Sequence, residues 1–108
     1  MPSNNIEIEQ AVLGSLLLNV NAYPEVDAKL TAEDFVSEVH SDIYKCIKHL
    51  AESGKGTDYI SVSRELDRNN LLERIGGVDY LKELQDTPVT ARNAESYAAV
   101  SYTHLRAH

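Results

Sequence analysis

The amino-acid sequence predicts an all-α fold, a compact orthogonal bundle of five to six short helices, on three observations. Apolar residues recur at spacings of three and four in successive segments, and Asn, Gly and Pro punctuate those segments at short intervals. No stretch makes a convincing strand, and the chain holds no internal repeat or low-complexity tract. A chain of 108 residues sets one domain, since about 100 residues bury roughly 65% of the surface that the unfolded chain exposes.

The first helix is expected over residues 6–19. Asn4 or Asn5 is placed to cap its start, Glu7 and Glu9 fall in the first turn where negative charge suits the helix dipole, and Ile8, Val12 and Leu16 align with Leu13 and Leu17. Gly14 interrupts this run at a cost of about 1 kcal/mol against alanine, which points to another helix crossing too close for a methyl group, the alternative being a tolerated surface glycine. After a break at residues 19–21, a short second helix over residues 22–29 turns Val26 and Leu30 inward. Thr31 and Asp34 have the spacing of a capping box, with Phe35 behind them as an apolar anchor, so one helical turn is expected there.

From Val39 the pattern sharpens. Val39, Ile43, Cys46, Ile47, Leu50 and Ala51 follow helical spacing while Asp42, Lys45, Lys48, His49 and Glu52 fall on the other face, which makes this the central amphipathic helix. Gly54 closes it, and residues 54–58 read as a flexible connector. A fourth helix over residues 60–69 places Val62 and Leu66 inward and Arg64, Glu65, Asp67 and Arg68 outward; Leu71 and Leu72 then plug the core. A hinge-like turn at residues 75–77 leads into a fifth helix over 78–84 with Val78, Leu81 and Leu84 on one face, stopping before Pro88. Thr90 can cap a sixth through Ala91, Ala94, Tyr97 and Ala98.

The chemistry-bearing residues are few. Lys and Arg number 10 against 17 Asp and Glu, with no basic run interleaved with aromatics, so direct grip on a phosphate backbone is not expected. Cys46 has no partner for an internal disulfide, and no apolar run is long enough to span a bilayer or resembles a signal peptide; a reducing cytoplasmic setting is expected, with no membrane partner. Cys46 and His49 have a spacing that offers two zinc ligands, with His40 nearby, but no second pair completes a tetrahedral site. Cys46 lies on the apolar face as a small hydrophobe. Glu7, Glu9, Glu33 and Asp34 are accounted for by dipole and cap roles, Gly76 and Gly77 lack the strand, lysine and hydroxyl of a phosphate loop, and Lys45, Lys48, Arg64, Arg68 and Arg74 are spaced as solvated helix faces. No catalytic, cofactor-binding or metal site is assigned.

An ordered set of fragments carries a resemblance. Glu9-Gln10-Ala11-Val12-Leu13-Gly14, then Asp34-Phe35 with His40 and Ile43-Tyr44, then Leu71-Leu72-Glu73-Arg74-Ile75-Gly76-Gly77 with Tyr80-Leu81, and finally Thr87-Pro88, Asn93, Tyr97 and Ala98 stand in one order and spacing. Together they resemble the N-terminal domain of bacterial replicative DNA helicase, the DnaB type. The resemblance implies an all-helical head over residues 6–99, preceded by a flexible N-terminus at 1–5, that sits on a hexameric ring and forms a collar with neighbouring heads. It also implies contact with the primase C-terminal domain and help in assembling the ring around single-stranded DNA. ATP and Mg would belong to a motor domain of the parent enzyme; none of its motifs occurs here, so this fragment takes no cofactor and no catalytic role.

Residues 100–108, Val-Ser-Tyr-Thr-His-Leu-Arg-Ala-His, depart from the family's charged helical pattern. One codon choice for them, GTC TCT TAT ACA CAT CTC CGA GCC CAC, reads as a transposase-derived sequencing adapter in frame, so a non-native tail on a truncated gene fragment is expected. Two other classes stay open on the residues alone: a free-standing helical interaction module, such as a helicase loader or phage replication accessory, and a small enzyme in which Cys46 and His40 are the only conceivable players.

Overall fold

The computed structural model describes residues 2–86. It contains α1 (Pro2–Leu18), α2 (Tyr23–Asp27), α3 (Glu38–Glu52), α4 (Tyr59–Arg68) and α5 (Gly77–Gln85), with 3-10 turns at Val20–Ala22 and Ala32–Asp34. There is no strand among the described residues. The sixth helix expected from Thr90 and the tail at 100–108 lie outside them.

The interior helix is α1. Residues 11–17 are buried without interruption, and Val12, Leu13 and Leu16 are sealed from solvent. A helix apolar on every side belongs inside a bundle, and α1 packs against both α3 and α5. This corrects the expectation that the third helix is central: α3 is amphipathic and covers α1. Gly14 lies within the buried run, so it is no surface glycine. Nor do Asn4 and Asn5 cap the helix, because α1 already starts at Pro2 and passes through both.

Downstream, Asn19 accepts the Asn21 N–H at 3.0 Å and caps the first 3-10 turn. The expected second helix is correspondingly short: Pro24, which lacks an N–H and has a fixed φ, occupies the first turn of α2. Val26 and Leu30 are buried as the spacing predicts. The Thr31 box also forms, the Asp34 carboxylate accepting the Thr31 N–H at 3.0 Å and its hydroxyl at 3.3 Å. Phe35 behind it is buried.

Ser37 caps α3 by accepting the His40 N–H at 3.3 Å. Ile43, Cys46, Ile47 and Leu50 are buried as expected, and His40 and Tyr44 join them. The Tyr44 ring meets Phe35 at a centroid distance of 5.2 Å and Tyr23 at 6.3 Å, while its hydroxyl donates to Asp27 at 3.2 Å. Gly54, at φ 74°, closes α3. The connector after it is not free: the buried Thr57 hydroxyl donates to the Leu16 carbonyl at 2.8 Å and ties it to the end of α1. Asp58 then caps α4 by accepting the Ser61 N–H at 3.1 Å.

The chain leaves α4 at Asn69, with Asn70 left-handed at φ 61°. Leu71 and Leu72 pack against the core while staying half-buried, and Ile75 after them is fully inside it. Gly76 starts α5 at φ 107°, and a Cβ built there would stand 3.0 Å from the Tyr80 Cβ. Both the backbone and the space therefore require glycine, and Gly76→Ala is expected to cost about 1–3 kcal/mol, read as a lower urea midpoint with an unchanged slope. Leu81 and Leu84 are buried, whereas Val78 is exposed, against the expectation that all three share the inner face.

Candidate functional site

Helices α1, α3 and α5 each contribute a polar side chain to one buried network. Glu9 of α1 is fully buried, and its Oε1 lies 2.7 Å from His40 Nδ1 of α3. Its other oxygen accepts the Val36 N–H at 2.6 Å, and Oε1 also accepts the Ser37 N–H at 3.5 Å. On the far side of the imidazole, Nε2 lies 2.5 Å from the Tyr80 hydroxyl of α5, which accepts from Gln10 Nε2 at 3.3 Å. The His40 and Tyr80 rings are stacked, 5.9 Å apart.

One direction of donation satisfies the chain: Gln10 donates to Tyr80, Tyr80 to His40 Nε2, and His40 Nδ1–H to Glu9. Burial, followed in size by the Gln10 hydrogen bond acting the other way, holds the Tyr80 hydroxyl above the usual phenol range, so it stays a donor. The layout of carboxylate, imidazole and hydroxyl is that of a proton relay, but Glu9 and His40 are sealed from solvent. The network instead fastens three helices and the start of α3. Glu9, read from sequence as a dipole residue of the first turn, is its hub.

The other residues singled out gather elsewhere. A cleft of about 280 Å³ between α3 and α4 is lined by Asp42, Lys45, Cys46 and His49 on one side and Glu65, Leu66, Asn69 and Leu71 on the other. His40 is not part of it. Glu65, expected to point outward, is buried, with His49 Nε2 at 3.8 Å, Arg68 at 3.6 Å and Asn69 Nδ2 at 3.4 Å. Arg74 bridges Glu38 at 3.4 Å and Asp42 at 3.6 Å, fastening the segment before α5 to α3. Among the described residues no three His, Cys, Asp or Glu side chains group to hold a metal ion.

Cys46 is buried at the floor of the cleft, its Sγ 3.6 Å from the Val62 carbonyl. Burial, and secondly the Glu65 charge, push its thiol up to about 12 from 9.0. A thiol so placed is no nucleophile at neutral pH. Because the folded-state value lies above the unfolded one, the unfolded chain loses this proton first as pH rises. Stability is therefore expected to hold below pH 9 and to fall between about 9 and 12. Tyr23 and Tyr44, also raised chiefly by burial, add to the fall at higher pH. Urea midpoints taken across this range check it, and Cys46→Ala should delay the onset.

The remaining basic residues are committed to local pairs or to solvent: Lys48 reaches Asp27 at 3.2 Å and Glu52 at 3.4 Å. Leu18, Val36, Ile60 and Val78 are the exposed large apolar residues among those described. No described helix is long and apolar enough to cross a membrane.

These features define a small helical domain in which a buried polar network holds three helices together. The chain belongs to the DnaB-like helicase N-terminal domain family, whose model matches residues 1–100. It is 40% identical over 100 residues to the replicative DNA helicase DnaB of Geobacillus stearothermophilus, covering 93% of this chain and 22% of that protein. It is 40% identical over 99 residues to the DnaB of Mycobacterium leprae, covering 92% of this chain and 16% of the relative. The chain thus spans about a fifth of the length of these relatives. The crystal structure of the N-terminal domain of DnaB helicase from Mycobacterium tuberculosis superposes with a TM-score of 0.92 at 38% identity, covering 94% of this chain and 74% of that one.

Proposed function

We propose that this domain is the docking and assembly head of a replicative DNA helicase, the part that contacts other proteins while a separate motor unwinds DNA at the fork. The observation that carries the reading is the correspondence in sequence and fold to DnaB N-terminal domains over nearly the whole chain. The buried polar groups support a passive role: Glu9 and His40 are spent on helix packing, and the Cys46 thiol is held protonated. ATP and Mg belong, in this reading, to the motor, and single-stranded DNA is engaged by the ring rather than by this acidic head. The partners proposed for the head itself are neighbouring heads and the primase C-terminal domain.

The reading frame in the parent genome tests it. A strand, a GxxxxGK[ST] loop and a helix should follow downstream; a frame that stops soon after Val100 without them would replace this reading with a free-standing interaction module. The same nucleotide record tests a second proposal, that residues 100–108 are adapter-derived and non-native. The in-frame match of one codon choice to the adapter string motivates it, and genomic codons that continue with this peptide in a different nucleotide string would refute it.

A further inference from the structure

No further inference is drawn: the strongest candidate, the cleft between α3 and α4 lined by Asp42, Cys46, His49 and Glu65, is a pair of carboxylates beside a lone thiol whose charges already face Arg74, Arg68 and His49, and nothing in the structure points to a ligand for it.

Discussion

Glu9→Ala is expected to remove about 2–4 kcal/mol of stability, because it leaves the buried His40 Nδ1–H and two loop N–H groups without their acceptor. The His40 Nδ1–H and the Val36 N–H both lose a bond shorter than 2.8 Å, and the Ser37 N–H loses a longer one. The buried His40 Nδ1–H does not regain water without opening the junction of α1 with the start of α3. For a domain stabilised by about 5–15 kcal/mol, a loss of that size brings unfolding within reach of physiological temperature. Urea unfolding followed by far-ultraviolet circular dichroism measures it. Glu9→Gln should fall between the two, since its amide oxygen still accepts the Val36 N–H while its amide nitrogen faces another donor at His40. A double-mutant cycle of Glu9→Ala with His40→Ala should show a coupling of about 0.5–3 kcal/mol. A Glu9→Ala loss near zero would mean that the carboxylate holds nothing together.

Leu13→Ala is expected to cost about 2–5 kcal/mol, and Ile8→Ala only about 1 kcal/mol. The sequence alone assigns both residues to one apolar face. In the structure Leu13 is sealed at the centre of α1 against the packed helices, whereas Ile8 is half-buried. The Leu13 truncation leaves a cavity on top of the lost transfer energy, because α3 and α5 hold α1 from different sides and cannot all close in. Paired urea titrations of the two variants read the difference directly. Equal losses would show that α1 is an amphipathic covering helix and not the interior one.

What the sequence made legible was local. The Thr31 to Asp34 box, the left-handed closure at Gly54, the stop at Asn69 and Asn70 and the turn at Gly76 each depend on residues within a few positions of one another, and each forms. The Glu9–His40–Tyr80 network is different, because its members lie 31 and 40 positions apart and no local rule joins them. A signal was nonetheless present. Glu9 stands three and four residues before Val12 and Leu13, and His40 stands three and four before Ile43 and Tyr44, so both occupy the buried stripe of their helices. The sequence reading gave Glu9 a dipole role and set His40 beside Cys46 and His49; the periodicity of the apolar residues places both inside.

Glu65 repeats that lesson on α4, where it follows Val62 by three and precedes Leu66 by one, and is buried beside both. Val78 errs the other way. Residues three apart advance about 300° around a helix, so Val78 and Leu84 differ by roughly 120°, and a face centred on Leu81 and Leu84 leaves Val78 at the rim. The cleft between α3 and α4 was half legible: Cys46 and His49 were paired by spacing, and Asp42 stands one turn before Cys46 on α3, but Glu65 reaches it only because α4 packs on α3.

The buried Glu9–His40–Tyr80 network accounts for the packing of this domain, and the proposed docking role rests on its surface. Titration of the purified chain with the C-terminal domain of the primase from the same genome, followed by isothermal calorimetry, tests that claim most directly. The account predicts a saturable complex that persists in Cys46→Ala, a variant altered only at the floor of the cleft. A chain that is folded by circular dichroism yet gives no heat of binding at concentrations well above micromolar would contradict it.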